Sequence, residues 1–136
     1  MVEFGKTMKI SASGIRAQST RMRVIAENLA NASSMPLGPG EDPYRRKLIS
    51  FKNVLDREIG VRKVEVARIS TDQTEFRKRF DPGHPGADGD GYVKIPNVNS
   101  LIEMMDLREA QRSYSANVNV IEAAKRMMMR TIDLIR

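Results

Sequence analysis

The chain contains no cysteine and no tryptophan, and only 5% of its 136 residues are aromatic. Without cysteine, disulfides and thiolate metal sites are excluded. His84 is the only histidine, and the G-x-S-x-G motif of serine hydrolases is absent. No apolar run approaches the roughly 18 residues that a membrane span needs. We therefore expect a protein that is not an enzyme and is not inserted in a membrane.

The first thirty residues also lack the continuous apolar segment of a secretory signal. Lys6 and Lys9 are followed by the mixed sequence of residues 11–16, SASGIR. A cleavable signal peptide has an apolar stretch of seven or more residues after its basic start. If the protein leaves the cytoplasm, we expect a route that reads no cleaved signal peptide.

The net charge of +6 and the pI near 9.9 raise nucleic acid as a partner. The basic excess is spread along the whole chain, however, and does not form a cationic tail. The cluster Arg77-Lys78-Arg79 is flanked by Phe76 and Phe80. A basic nucleic-acid-binding module with a coiled-coil arm is therefore the alternative to the interpretation developed below.

The residues that break helices are concentrated in the middle of the chain. All six prolines and seven of the nine glycines lie between residues 34 and 96. Both residue types penalise a helix interior, so the pattern predicts a mainly α protein with three regions. These are an N-terminal helical arm (1–34), a Pro/Gly-rich middle with short strands at about 44–51 and 61–69 (35–96), and a C-terminal helical arm (97–136).

Both arms carry apolar residues at heptad spacing, which is typical of helices that pack along a seam. Ser100 and Glu103 match a capping box, so the second helix is expected to run from about residue 100 to 136. The arms are too long for the middle to cover, and we therefore expect assembly with other helices. The predicted interface consists of Ile15, Met22, Ile25, Leu29, Leu107, Tyr114, Val118, Ile121, Met128, Ile132 and Ile135.

The loop of residues 81–91 contains the only segment that suggests a metal. Asp88-Gly89-Asp90-Gly91 resembles half of an EF-hand loop. With Gly91 at the sixth position, Gly86 and Asn97 would occupy the first and twelfth, where acidic ligands are needed, so the EF-hand fails. A weak cation site at Asp81, Asp88 and Asp90 stays open. His84 is expected to bond to neighbouring backbone.

Several segments resemble known protein families. Residues 11–18 (SASGIRAQ), 21–22 and 25–31 (IAENLAN) resemble the N-terminal signature of flagellar rod and hook proteins. The second half is more specific: it resembles the FlgC family of proximal rod proteins. The residues that carry this resemblance are 80–85 (FDPGHP), 91–93 (GYV), 96–99 (PNVN), 103–104, 106–107, 109–110, Arg112, Tyr114, 116–118 and 131–136 (TIDLIR).

The resemblance implies a structural subunit of the flagellar proximal rod without a cofactor. It implies export by the flagellar type III apparatus, addition to the rod in the periplasmic space, and packing of both terminal helices into a coiled-coil-like inner bundle. The implied partners are other proximal rod proteins, the distal rod protein, the adaptor between rod and export gate, and the surrounding basal-body rings as further candidates. No nucleic acid is among them.

Overall fold

The structure is a computed structural model that describes residues 2–136. Two long helices enclose four strands in sequence: α1 (Val2–Ala30), β1 (Lys47–Asp56), β2 (Val61–Thr71), β3 (Arg77–Phe80), β4 (Tyr92–Ile95) and α2 (Ser100–Ile135). The predicted mainly α chain with a β-containing middle is confirmed at this level. Among the described residues, no helix is long and apolar enough to cross a membrane.

The ends of both helices follow local sequence. After Ala30 a turn closes α1, with the N–H of Asn31 bonded to the carbonyl of Glu27 at 3.1 Å. Pro36 lies a few residues further on, and the helix cannot continue through the residue before it. The predicted second helix, from about 100 to 136, matches α2 closely.

The capping box predicted at the start of α2 is wrong. The carboxamide oxygen of Asn99 accepts the N–H of Leu101 at 3.1 Å, so Asn99 is the residue that caps the helix. The side chain of Glu103 does not turn back to the N-terminus of α2. It pairs with Arg46 and Asn28, because a buried carboxylate needs a cation and hydrogen-bond donors more than the helix needs a second cap.

The strands form two separate two-stranded sheets. β1 and β2 are longer than expected, and a turn between them ends at Gly60, which has a φ of 67°. β3 and β4 are antiparallel, with Arg77 opposite Ile95 and Phe80 opposite Tyr92. The rings of Phe80 and Tyr92 meet edge to face at 5.3 Å. This second sheet was not predicted from the sequence.

The chain divides into two compact units, and each contains parts of both helices. Unit 1 comprises residues 2–22, 50–68 and 108–136, and unit 2 comprises Arg23–Ile49 and Ile69–Leu107. The buried apolar residues of unit 1 are small: Ala17, Ala110 and Ala124. Those of unit 2 are Val24, Ile25, Val93 and Val98. Both cores are modest, so much apolar helix surface is left in contact with solvent.

Candidate assembly surface

Most of the residues predicted to form the assembly interface are partly covered by the chain itself. Ile25 is buried, whereas the side chains of Ile132 and Ile135 are exposed. The others are half-buried: Ile15, Met22, Leu29, Leu107, Tyr114, Val118, Ile121 and Met128. The heptad pattern therefore marks a face of each helix that already has some contacts within the monomer.

A second apolar face on α2 is open to solvent. Val120, Met127 and Leu134 are 42%, 56% and 88% exposed, and Ala116 on the same face is also exposed. At about 100° per residue these four side chains lie within a narrow strip of the helix surface. We call this strip the outer stripe. The seven-residue spacing of positions 120, 127 and 134 is a signal for this stripe in the sequence. The stripe through Ile121 has the same spacing and more apolar residues, so it conceals that signal.

Within unit 1 the two helices run antiparallel and approach closely at a glycine. A Cβ atom at Gly14 would lie 2.7 Å from the side-chain nitrogen of Asn117, which is closer than side chains tolerate. About two turns further along α1, Arg21 forms an ion pair with Glu109 of α2 at 3.5 Å. The absence of a side chain at Gly14 is therefore what allows α2 to approach α1 at this level.

Unit 2 contains a buried polar cluster centred on Asn28, whose side chain is 1% exposed. Its amide nitrogen donates to the carbonyl of Lys47 at 3.0 Å and to the carboxylate of Glu103 at 3.3 Å. Its oxygen accepts the hydroxyl of Tyr44 at 2.7 Å and the N–H of Lys47 at 2.9 Å. Every hydrogen-bonding position of this amide is used, so Asn28 ties α1 to the start of β1 and to α2. We call these residues, together with Arg46, Asp72 and Asn97, the Asn28 cluster.

Arg46 provides the positive charge of the Asn28 cluster. Its guanidinium pairs with Glu103, lies 3.5 Å from Asp72 and 3.7 Å from Asp106. Partial burial alone would lower the pKa of Arg46, but the hydrogen bonds and charges of Glu103 and Asp72 outweigh burial and raise it. Arg46 is therefore a permanent cation that compensates a carboxylate, Glu103, that is only 1% exposed.

The remaining members of the Asn28 cluster are Asn97 and Asp72. The side chain of Asn97 accepts the backbone N–H of Arg46 at 2.8 Å and donates to the carbonyl of Asp72 at 3.1 Å. The side-chain hydroxyl and backbone N–H of Thr74 lower the pKa of the Asp72 carboxyl, with a smaller contribution from Arg46. Burial raises the pKa of Tyr44. The cluster contains no nucleophile with an adjacent base, and its geometry is that of a structural network.

In the loop of residues 81–91, the side chains of Asp88 and His84 accept hydrogen bonds from nearby backbone N–H groups. One carboxylate oxygen of Asp88 accepts the backbone N–H groups of Asp90 and Tyr92 at 2.9 and 3.0 Å. These contacts, led by the N–H of Tyr92, lower the pKa of Asp88. The N–H of Gly86 donates to Nδ1 of His84 at 2.9 Å, in line with the expected backbone contact. Among residues 2–136, no three His, Asp or Glu side chains are grouped to hold a metal ion.

Comparisons with known proteins identify the family. Residues 90–134 match the family described as flagellar basal body rod FlgEFG protein C-terminal. The chain is 50% identical over 128 residues to a flagellar basal-body rod protein FlgC of Agrobacterium fabrum, covering 94% of this chain and 92% of the relative. It is 36% identical over 143 residues to the FlgC of Bacillus subtilis, covering 94% and 95%.

A third relative, the FlgC of Salmonella typhimurium, is 41% identical over 125 residues and is matched over 92% of both chains. These matches confirm the resemblance seen in the sequence, and the names of the relatives give no support to the nucleic-acid-binding alternative. The chain belongs to the FlgC family of flagellar basal-body rod proteins, whose members are structural components of the flagellum and not enzymes.

Proposed function

We propose that this protein is a structural subunit of the proximal part of the flagellar rod and assembles through its two terminal helices. The observation that carries the proposal is the outer stripe of α2, in which three large apolar side chains stand in one line and are 42–88% exposed. Helix α2 has 36 residues and is therefore about 54 Å long at 1.5 Å per residue. Exposed apolar surface arranged in this way favours association with another helix, at about 25 cal/mol per Å² buried.

In this proposal the arms of residues 1–34 and 97–136 form an inner, coiled-coil-like bundle, and the middle of residues 35–96 lies outside it. The half-buried heptad residues contribute packing both within the chain and to neighbours, with exposed Ile132 and Ile135 reaching a neighbouring subunit. Neighbours are copies of the chain, other proximal rod proteins, the distal rod protein, the export-gate adaptor and the surrounding rings. The site of assembly is the periplasmic rod, reached by type III export without a cleaved signal peptide.

The test uses two methionines on different faces of one helix. Met127 lies on the outer stripe and Met129 lies about 200° away around the helix, and both are 56% exposed. Met127→Asp places a charge in the proposed interface, where burying it unpaired costs several kcal/mol. We expect a deletion strain that produces Met127→Asp to make no rods or hooks and not to swim, while Met129→Asp restores swimming.

The stability of both variants is measured in parallel, because a charge on either face is expected to leave the folded monomer intact. Export of each variant into the medium is also measured, so that a failure of secretion is not read as a failure of assembly. Normal rods and normal swimming with Met127→Asp and with Val120→Asp would show that the outer stripe is not an assembly surface and would refute the proposal.

A further inference from the structure

The outer stripe of α2 has a row of arginines along one side. Arg108, Arg112, Arg126 and Arg130 are all exposed. At about 100° per residue their side chains lie roughly 75° around the helix from the centre of the outer stripe. We call this row the arginine rim. The outer stripe and the arginine rim both lie on the part of α2 that belongs to unit 1.

The charge of the arginine rim is largely uncompensated within the chain. Among the described residues, Arg126 alone of the four has an ion pair, a 3.9 Å contact with Glu122 that is exposed to solvent. Glu109, which lies in line with the outer stripe, is paired with Arg21. The helical segments 2–22 and 108–135 together contain nine Lys or Arg and four Asp or Glu, a net charge of +5.

A second copy of the chain does not match this surface when the two copies pack stripe to stripe. Two antiparallel copies packed stripe to stripe about a two-fold axis would bring both arginine rims to the same side of the interface, where like charges repel. In a parallel pairing each rim would face the flank containing Ser113 and Thr131. That flank has no carboxylate between residues 108 and 135. Neither arrangement neutralises the rim.

We propose that the outer stripe of α2 binds an amphipathic helix of a different protein, which carries Asp or Glu residues beside its apolar stripe. The apolar contact supplies most of the affinity, and the arginine rim selects the partner by charge and sets the direction in which its helix lies. Arginine suits this role because its planar guanidinium binds a carboxylate with two parallel hydrogen bonds. The inference rests on the proposed function and specifies the chemistry of one partner.

Two synthetic helical peptides of 28 residues test the inference. They share one heptad stripe of Leu and Ala and differ only in the residues beside it, which are Glu in one peptide and Lys in the other. Their binding to the full chain is measured by fluorescence anisotropy at low salt. We expect the Glu peptide to bind at least about tenfold more tightly than the Lys peptide, with the difference shrinking at high salt as charges are screened.

Charge reversal locates the effect. The double variant Arg112→Glu, Arg130→Glu is expected to prefer the Lys peptide, whereas Lys125→Glu, an exposed change on another face of α2, keeps the preference of the wild type. Self-association is measured by sedimentation equilibrium under the same conditions. Equal binding of the two peptides, no binding of either, or self-association tighter than binding of the Glu peptide would overturn the inference.

Failure of this inference is distinguishable from failure of the proposed function. If the peptides show no charge preference but Met127→Asp still abolishes rods in cells, the outer stripe is an assembly surface whose partner is not selected by acidic residues. If Met127→Asp has no effect in cells, the assembly proposal itself fails, whatever the peptides show.

Discussion

Replacing Asn28 with aspartate tests whether the Asn28 cluster determines the stability of unit 2. The substitution keeps the shape of the side chain and exchanges its amide nitrogen for an oxygen. That nitrogen donates to the carbonyl of Lys47 and, at 3.3 Å, to the carboxylate of Glu103. In Asn28→Asp both contacts become oxygen facing oxygen, and two carboxylates share a site from which water is excluded.

The expected loss can be bounded from the chemistry of the pair. If one of the two carboxyls takes up a proton, the contact becomes a hydrogen bond again. Protonating a carboxyl with a pKa near 4 at pH 7 costs about 4 kcal/mol, since one pKa unit corresponds to about 1.4 kcal/mol. The charge of Arg46 offsets part of the repulsion, and the lost bond to Lys47 adds about 1 kcal/mol. We expect Asn28→Asp to lower the free energy of unfolding by about 3–5 kcal/mol at pH 7.

The sign of the pH dependence distinguishes this mechanism from a simple loss of a hydrogen bond. Two neighbouring carboxylates raise the pKa of the pair in the folded state above the unfolded value. The penalty is therefore full at neutral pH and is relieved as the pH falls through the raised pKa towards about 4. A lost bond without charge repulsion would give the same penalty at pH 7 and at pH 5.

Urea unfolding followed by circular dichroism at 222 nm, at pH 7 and at pH 5, measures both quantities on the monomer. Asn119→Asp, on an exposed part of α2, is the matched control and should change stability by less than about 0.5 kcal/mol. Tyr44→Phe removes one hydrogen bond to Asn28 and gives a milder variant if Asn28→Asp does not fold. The reasoning is wrong if Asn28→Asp is as stable as the control, or if its penalty is the same at both pH values.

Two further substitutions test how the helices are placed and capped. Gly14→Ala should destabilise the chain by about 1–2 kcal/mol although alanine favours helix, because the added Cβ displaces Asn117. In an Asn117→Ala background the same substitution should stabilise the chain by up to about 1 kcal/mol. Thermal unfolding of the four proteins measures both effects, and the reasoning is wrong if the sign does not change. Asn99→Ala should lower the free energy of unfolding by about 1 kcal/mol because the cap of α2 is lost, whereas Ser100→Ala should lower it by a few tenths of a kcal/mol. If urea unfolding gives the opposite order, Ser100 and not Asn99 caps the helix.

The extent of both helices could be predicted because it is encoded locally. Proline and glycine are excluded from the helix interiors and concentrated between them, so composition alone marks where each helix stops. The pairing of strands β3 and β4 could not be predicted, because it is not encoded locally. Each has four residues, and Phe80 and Tyr92 are separated by a loop rich in turn residues that conceals the pairing.

The Asn28 cluster could not be predicted, because its contacts join residues that are far apart in sequence. Asn28 lies 75 positions from Glu103, and Arg46 lies 51 positions from Asn97. Nothing in the periodicity of either arm distinguishes a helical asparagine that is buried from one that is exposed. A long-range contact also explains why the predicted capping box is wrong. Ser100 and Asn99 are both good caps by local sequence, but Glu103 pairs with Arg46 and is not free to complete a capping box with Ser100.

The segments that carry the family resemblance contain both interior positions and exposed positions of α2. Asn28, Asn97 and Glu103 belong to the segments by which the sequence resembles rod proteins, and all three serve the interior of unit 2. Two residues of the outer stripe, Ala116 and Leu134, also lie within those segments, whereas Val120 and Met127 lie outside them. We therefore expect that subunits of one rod share the internal network that fixes how α1 and α2 meet the middle of the chain, and that they differ at the exposed positions 120 and 127 on the outer face of α2. If partner choice depends on that outer face, exchanging residues 116–130 between two rod proteins should exchange their neighbours and leave each fold intact.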